Sequence, residues 1–217
     1  MVIGGGAYAY PNNLVLTRPG SYVEVSEIDP AVTQTAHDWF GLPRDTPMHI
    51  FDMDARNRVA DLARIQQSGG DLPKFDCIFG DSINDYSVPH HLTTVEFTRM
   101  LHGLLKDNGL YMLNFIDMLD SGAFLASVVR TCREVFPYVT AFNTGRMPTI
   151  RDTFIVVCSK RPLGLADIPQ RIQDAGHPYF GVPLPAALMD NLMAGRAVLL
   201  TDDRSEERRV GKECRSR

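Results

Sequence analysis

Val2 to Tyr10 reads V-I-G-G-G-A-Y-A-Y, and Pro11 comes next. An apolar run that stops in three glycines is how a buried parallel strand ends against a ligand. Gly4, Gly6 and Ala9 fit the spacing G-x-G-x-x-G/A, with Gly5 between them. Glycine reaches positive φ and lets the backbone approach a ligand with no side chain in the way. Any glycine turn can produce that spacing, so its weight comes from the next stretch of chain. Tyr22 to Pro30, Y-V-E-V-S-E-I-D-P, reads as a second strand that ends in acid. Glu27 lies near the spacing at which a carboxylate meets a ribose hydroxyl pair. A tight turn and a solvated strand end are the plainer alternative. Both features in one βαβ unit favour a nucleoside site.

The rest of the chain alternates in the same way. Pro11 to Thr17 predicts a short helix whose free N–H groups face the ligand. Asp29 caps a second helix with Pro30 at its first position, and Val32, Ala36, Trp39 and Phe40 form its inner face. Met48 to Met53 is strand three. Asp54 then either caps the helix carrying Val59, Leu62 and Ile65, or accepts a hydrogen bond from an adenine amino group. Phe75 to Gly80 is strand four and ends at Asp81. A loop from Ser82 to Pro89 leads to His90 and His91. A helix spans Leu92 to Leu105, with Thr93 or Thr94 near its start and Phe97, Leu101 and Leu104 inward. Lys106 to Gly109 reads as a turn, Leu110 to Phe115 as strand five and Ser121 to Val135 as a helix. Tyr138 to Phe142 and Thr153 to Cys158 close the pattern as an antiparallel pair joined by Arg146 to Asp152. The helical pattern weakens from Pro162, with short helices at Ala166 to Ala175 and Pro185 to Ala194.

Strand and helix in alternation predict an α/β fold with a doubly wound, mostly parallel sheet and a terminal antiparallel strand. Ligands in such sheets bind beyond the carboxyl ends of the strands. Gly4 to Gly6, Glu27, Asp54 and Asp81 all fall on that one rim. His90 and His91 lack carboxylate or cysteine partners at suitable spacing, so no metal site is expected. His91 reads as a polar loop contact rather than a catalyst.

The 217 residues can bury a sizeable core, and the formal charge of −4 argues against general nucleic-acid binding. No apolar run is long enough to span a membrane and no signal peptide is expected. Cys77, Cys132, Cys158 and Cys214 show no C-x-x-C spacing, which suggests reduced cytosolic thiols. Both ends are unusual. Only three residues of a central strand stand at the start, so further chain before Met1 is expected. Residues 204–217 read as the conceptual translation of a sequencing adapter joined to a broken gene. Without their six basic and three acidic residues the charge moves from −4 to −7, which suits a cationic ligand. The expected division is a nucleoside-binding domain over 1–160, a C-terminal helical appendage over 161–203, and the adapter-like tail.

From Val2 to Cys158 the chain resembles the spermidine synthase family, the polyamine aminopropyltransferases, which use the S-adenosylmethionine-dependent methyltransferase fold. The residues that carry this are V-I-G-G-G (2–6), E-I-D-P-A-V (27–32), D-A-R (54–56), D-S-x-x-D (81–85) and L-L-K-D-N-G-L (104–110). It is most similar to the branch often fused to membrane-spanning segments, through Asp85 to Thr94 and the late Leu200 to Asp203. The resemblance implies a transferase that moves an aminopropyl group from decarboxylated S-adenosylmethionine to a polyamine such as putrescine, with no metal. Glu27 would hold the ribose, Asp54 and Ala55 the adenine, and Asp81 would take a proton from the attacking amine. Asp85 and Tyr86 would meet the polyamine, provided one inserted residue puts Asp85 rather than Asn84 in the second acidic position. The resemblance also implies a cytoplasmic domain, a membrane-anchored parent chain, and room for a homodimer.

Ala7 stands where the family carries an aspartate that grips the donor's amine. That departure supports an alternative, a methyltransferase that uses S-adenosylmethionine itself. A further alternative is a non-catalytic nucleoside-binding domain of a membrane-fused protein. A nicotinamide-dependent enzyme fits the terminal antiparallel pair less well.

Overall fold

A computed structural model describes residues 1–203 apart from 73, 84–87, 120–122, 145–150, 165–167 and 177–180. The alternation read from the sequence is present. The strands are β1 (Val2–Ile3), β2 (Glu24–Glu27), β3 (His49–Asp52), β4 (Phe75–Gly80), β5 (Leu105–Asp117), β6 (Tyr138–Asn143), β7 (Asp152–Ser159) and β8 (Val182–Pro183). The helices are α1 (Ala9–Thr17), α2 (Pro30–Trp39), α3 (Ala55–Gln67), α4 (Val95–Leu104), α5 (Ala123–Arg133), α6 (Ile168–Asp174) and α7 (Ala186–Arg196). A 3-10 turn over His90–Leu92 precedes α4.

The strands form one sheet in the order β3-β2-β1-β4-β5-β7-β6-β8. β1 to β5 run parallel, and β7, β6 and β8 extend the sheet antiparallel. The chain winds outward from β1 to β3, then returns to place β4 on the other side of β1. The crevice between β1 and β4 is therefore the point where the winding reverses, where such sheets bind ligands. The larger core lies on the face covered by α3, α4, α5 and α7, with Ile78, Phe97, Leu101, Phe115, Leu125 and Phe154 at its centre. A smaller cluster under α1 and α2 joins Val2, Tyr8, Val25, Ala36 and Met48.

Local signals set the helix starts. Asp29 accepts the Ala31 N–H at 2.8 Å, with Pro30 opening α2, and Thr94 accepts the Phe97 N–H at 3.3 Å at the head of α4. Two expectations need correction. Trp39 and Phe40 are 82% and 62% exposed, not core. Thr33 and Ala36 face inward instead, because Thr33 Oγ1 bonds the Tyr8 hydroxyl at 2.7 Å and Asp52 Oδ1 at 3.2 Å, and these bonds set the phase of α2. Val59, Leu62 and Ile65 all lie in α3 as expected, the first two buried and Ile65 41% exposed. Lys106 to Gly109, expected as a turn ahead of strand five, lies within the span of β5 at a shift of register. Phe75 pairs with Leu105 and Cys77 with Leu110, so the extra residues arch out while pairing continues.

Among the described residues no helix is long and apolar enough to cross a membrane. Cys77, Cys132 and Cys158 are free, the last two buried. Cys214 and the rest of the expected adapter-like tail lie outside the described residues.

Candidate functional site

The rim begins at the end of β1. Gly4 has φ +94°, and a Cβ there would lie 2.5 Å from the Asp81 carbonyl oxygen. Only glycine lets the ends of β1 and β4 meet this closely. Backbone bonds tie this strand end on both sides: Gly4 N–H donates to Ser26 O of β2 at 2.8 Å, and Asp81 N–H, just past β4, to Ile3 O at 2.8 Å. Gly5 meets the buried ring of Tyr8, which would lie 2.5 Å from a Cβ. The glycine run thus packs against its own helix as well as opening the rim. α1 starts at Ala9 with no side-chain cap.

Glu27 closes β2 and is buried. Its Oε2 accepts the Gly5 N–H at 2.8 Å and its Oε1 the Asp29 N–H at 3.0 Å. The turn of the glycine run and the entry to α2 therefore fix this carboxylate at the strand end. Asp54 lies two residues beyond β3. Its Oδ1 accepts the N–H groups of Arg56 at 2.8 Å and Asn57 at 3.2 Å, which makes it the cap of α3. Its Oδ2 lies 2.9 Å from His91 Nε2, and Ala55 is buried beside it.

Asp81 comes directly after β4 and is exposed. Its Oδ1 accepts a hydrogen bond from Asn114 Nδ2 at 2.8 Å. The Asn114 Oδ1 is buried and has no hydrogen-bond partner among the described residues. An orphaned buried acceptor is rare and is often met by a ligand. Asn114 does not stand out in the sequence. Its one signal is a lone amide in the apolar run L-Y-M-L-N-F, one residue beyond the Gly80–Leu113 pairing. Asp85 and Tyr86, with Asn84, lie outside the described residues.

The structure thus joins Gly5 to Glu27, Gly4 to Asp81, and Asp81 to Asn114, all around the β1–β4 crevice. Asp54 is tied instead to His91. Among the described residues no group of three or more His, Cys, Asp or Glu side chains is placed to hold a metal ion. A cavity of about 470 Å³ lined by Phe136, Pro137, Tyr138 and Pro162 lies near the start of β6 and the end of β7, at the opposite end of the sheet.

No known family model matches this chain. It is 32% identical over 167 residues to an N-terminal histidine N-methyltransferase of Emericella nidulans, covering 74% of this chain and 28% of that protein. It is 31% identical over 114 residues to a polyamine aminopropyltransferase of Vibrio vulnificus, covering 52% of this chain and 36% of that protein. The chain therefore spans about a third or less of these curated relatives. Among solved structures it superposes on a probable spermidine synthase from Corynebacterium glutamicum with a TM-score of 0.74 at 22% identity, over 94% of this chain and 72% of that one. It superposes on human methyltransferase-like protein 13, solved in complex with SAH, with a TM-score of 0.66 at 22% identity, over 89% and 80%. Strand order, glycine-lined switch point and relatives agree: the chain is spermidine synthase-like, on the fold of the S-adenosylmethionine-dependent methyltransferases.

Proposed function

We propose that this chain is a transferase that moves an alkyl group from an adenosyl sulfonium donor to an amine nitrogen. The observation that carries the reading is the Asp81–Asn114 pair, a carboxylate and an under-satisfied amide at the crevice where β4 and β5 end. The relatives are of two kinds, an N-terminal histidine N-methyltransferase and a polyamine aminopropyltransferase, and both names describe transfer to nitrogen.

The residues fit such a donor. Glu27 is held so that a ribose hydroxyl pair can donate to it from outside. Asp54 offers Oδ2 to the amino group of an adenine lying over Ala55. The donor, when bound, supplies an electrophilic carbon beside its sulfonium. The chain's work is then to deliver a neutral amine. An ammonium has no lone pair and cannot attack. Asp81 attracts the ammonium, takes one proton, and leaves the lone pair free. Asn114 Oδ1 accepts a second N–H and aims the nitrogen. The new C–N bond forms as the C–S bond breaks, and the thioether nucleoside leaves.

The finer reading is aminopropyl transfer from decarboxylated S-adenosylmethionine to a polyamine such as putrescine, with Asp85 and Tyr86 toward the distal amine. A second reading is methylation of an amine by S-adenosylmethionine, favoured by Ala7, which has no carboxylate for the donor's amine. To separate them, the chain is offered each donor with putrescine or with a peptide bearing a free N-terminal amine, and products are weighed by mass spectrometry. Aminopropylated putrescine supports the first reading and a methylated amine the second. Failure of calorimetry to detect binding of either donor or of methylthioadenosine would remove the nucleoside site.

A further inference from the structure

The His90–Thr94 loop and the late segment Leu200 to Asp203 have no part in the proposed chemistry, yet they meet at one side chain. Arg56 stands two residues after Asp54, in the first turn of α3. Its Nη1 donates to the His91 carbonyl at 2.6 Å and to Thr94 Oγ1 at 3.0 Å, and its Nη2 to Asp202 Oδ2. Phe97 lies under the guanidinium, with its ring centroid 5.9 Å away. The late segment is itself fastened. Val95 N–H donates to Leu200 O at 2.9 Å, Leu200 N–H to Thr131 Oγ1 at 3.0 Å, and Asp202 N–H to Glu96 Oε2 at 3.1 Å. Asp202 thus holds Arg56, Arg56 holds the backbone of His91, and the His91 ring meets Asp54 Oδ2 at 2.9 Å.

We infer that Asp202, Arg56 and His91 form a relay of positioning residues that aims Asp54 at the exocyclic amine of an adenine, so that the late segment helps set nucleobase specificity. This rests on the proposed reading of Asp54 as an adenine contact. The Oδ1 of Asp54 is committed to the first turn of α3, so the only freedom left is the direction presented by Oδ2. The His91 contact fixes it. A carboxylate oxygen accepts more than one donor, so His91 and an adenine amine can share it. Hypoxanthine carries a carbonyl where adenine carries the amine and would set acceptor against acceptor. The plainer alternative is a tie that merely fastens the late segment to the body. Such a tie changes stability but treats the two bases alike.

The test is calorimetric titration of the whole chain with methylthioadenosine and methylthioinosine. The unsubstituted chain is expected to prefer the adenine nucleoside by about tenfold or more. Asp202→Ala and His91→Ala are each expected to cut that preference by roughly three- to tenfold, through lost adenine affinity. The double variant should be no worse than His91→Ala alone, because the two residues act in series. Asp202→Glu should restore most of the preference, and Asp202→Asn keeps the shape of the side chain if Asp202→Ala does not fold. A preference preserved in every variant, with only the melting temperature lowered, overturns the relay and leaves the structural tie. Equal binding of both nucleosides by the unsubstituted chain instead removes Asp54 as an adenine contact, and the relay with it. Binding of neither removes the nucleoside site as a whole.

Discussion

Glu24 and Glu27 stand three residues apart on the same strand, 1% and 8% exposed, in opposite settings. Glu24 lies at the amino end of the sheet. It accepts Arg58 Nε at 2.8 Å, Arg58 Nη2 at 3.1 Å and the Tyr22 hydroxyl at 2.8 Å, while Arg58 lies 3.8 Å from the centroid of the Phe51 ring. Burial and the hydrogen bond to Glu24 push the Tyr22 phenol up to about 12. Glu27, at the carboxyl end, is held by two backbone N–H groups, and no cation among the described residues is bonded to it. A buried carboxylate neutralised by arginine has completed its bonding within the fold. One oriented only by backbone N–H groups keeps acceptor capacity for a donor from outside. The two ends of the sheet repeat the contrast. At the amino end Lys160 Nζ donates to Leu105 O. At the carboxyl end Asn114 Oδ1 and Asp152 Oδ2 are buried with no partner among the described residues. The unpartnered acceptors thus lie at the carboxyl end, where the proposed function puts the ligand.

Substitutions at the two ends can break that contrast. Asp81→Asn is expected to lower turnover by about 100- to 10,000-fold while calorimetry finds adenosyl binding intact. Unchanged turnover would remove Asp81 as the proton acceptor. Arg58→Ala, at the amino end, strands Glu24 and is expected to cost about 3–5 kcal/mol in denaturant unfolding. Its nucleoside affinity, measured where the variant is still folded, should not change. Glu27→Gln is expected to do the reverse, weakening methylthioadenosine binding roughly tenfold or more and shifting the melting temperature by only about 2 °C. If Glu27→Gln instead destabilised the chain as strongly as Arg58→Ala and left affinity alone, both glutamates would be structural.

The smallest expected effect concerns pH. Burial, with Lys160 and Lys74 nearby, lowers the His102 imidazole below its ordinary value. The unfolded chain therefore binds the proton more readily than the folded one. His102 contributes stability at high pH that is lost as pH falls through the ordinary histidine value toward the lowered one. His102→Phe, which keeps an aromatic ring against Phe136, should flatten the melting temperature across that window by about 1–2 °C. An unaltered slope would mean that another group carries it.

The signals legible in the sequence are local ones. Three glycines after an apolar pair announce a strand end, Asp29-Pro30 a helix start, and alternating periods a doubly wound sheet. The features that stay hidden there depend on partners distant in sequence. Asn114 gains meaning only because β5 lies beside β4 and puts its amide against Asp81. The contact of His91 with Asp54 spans two loops. Trp39 and Phe40 have the composition of a core but lie outside it, because a hydroxyl network at Thr33 turns α2 the other way. Lys106 to Gly109 has the composition of a turn, and only pairing with β4 reveals that strand five begins before it, at Leu105.

The sequence by itself determined the kinds of element, their order, and which residues stand at strand ends, since backbone conformation and hydrophobic period are properties of short stretches. Only the tertiary structure decided which of those acids are neutralised by a cation within the fold and which are held by backbone N–H groups alone. Charge compensation depends on distance in space, and Glu24 and Glu27 look alike until Arg58 and Gly5 are brought to them.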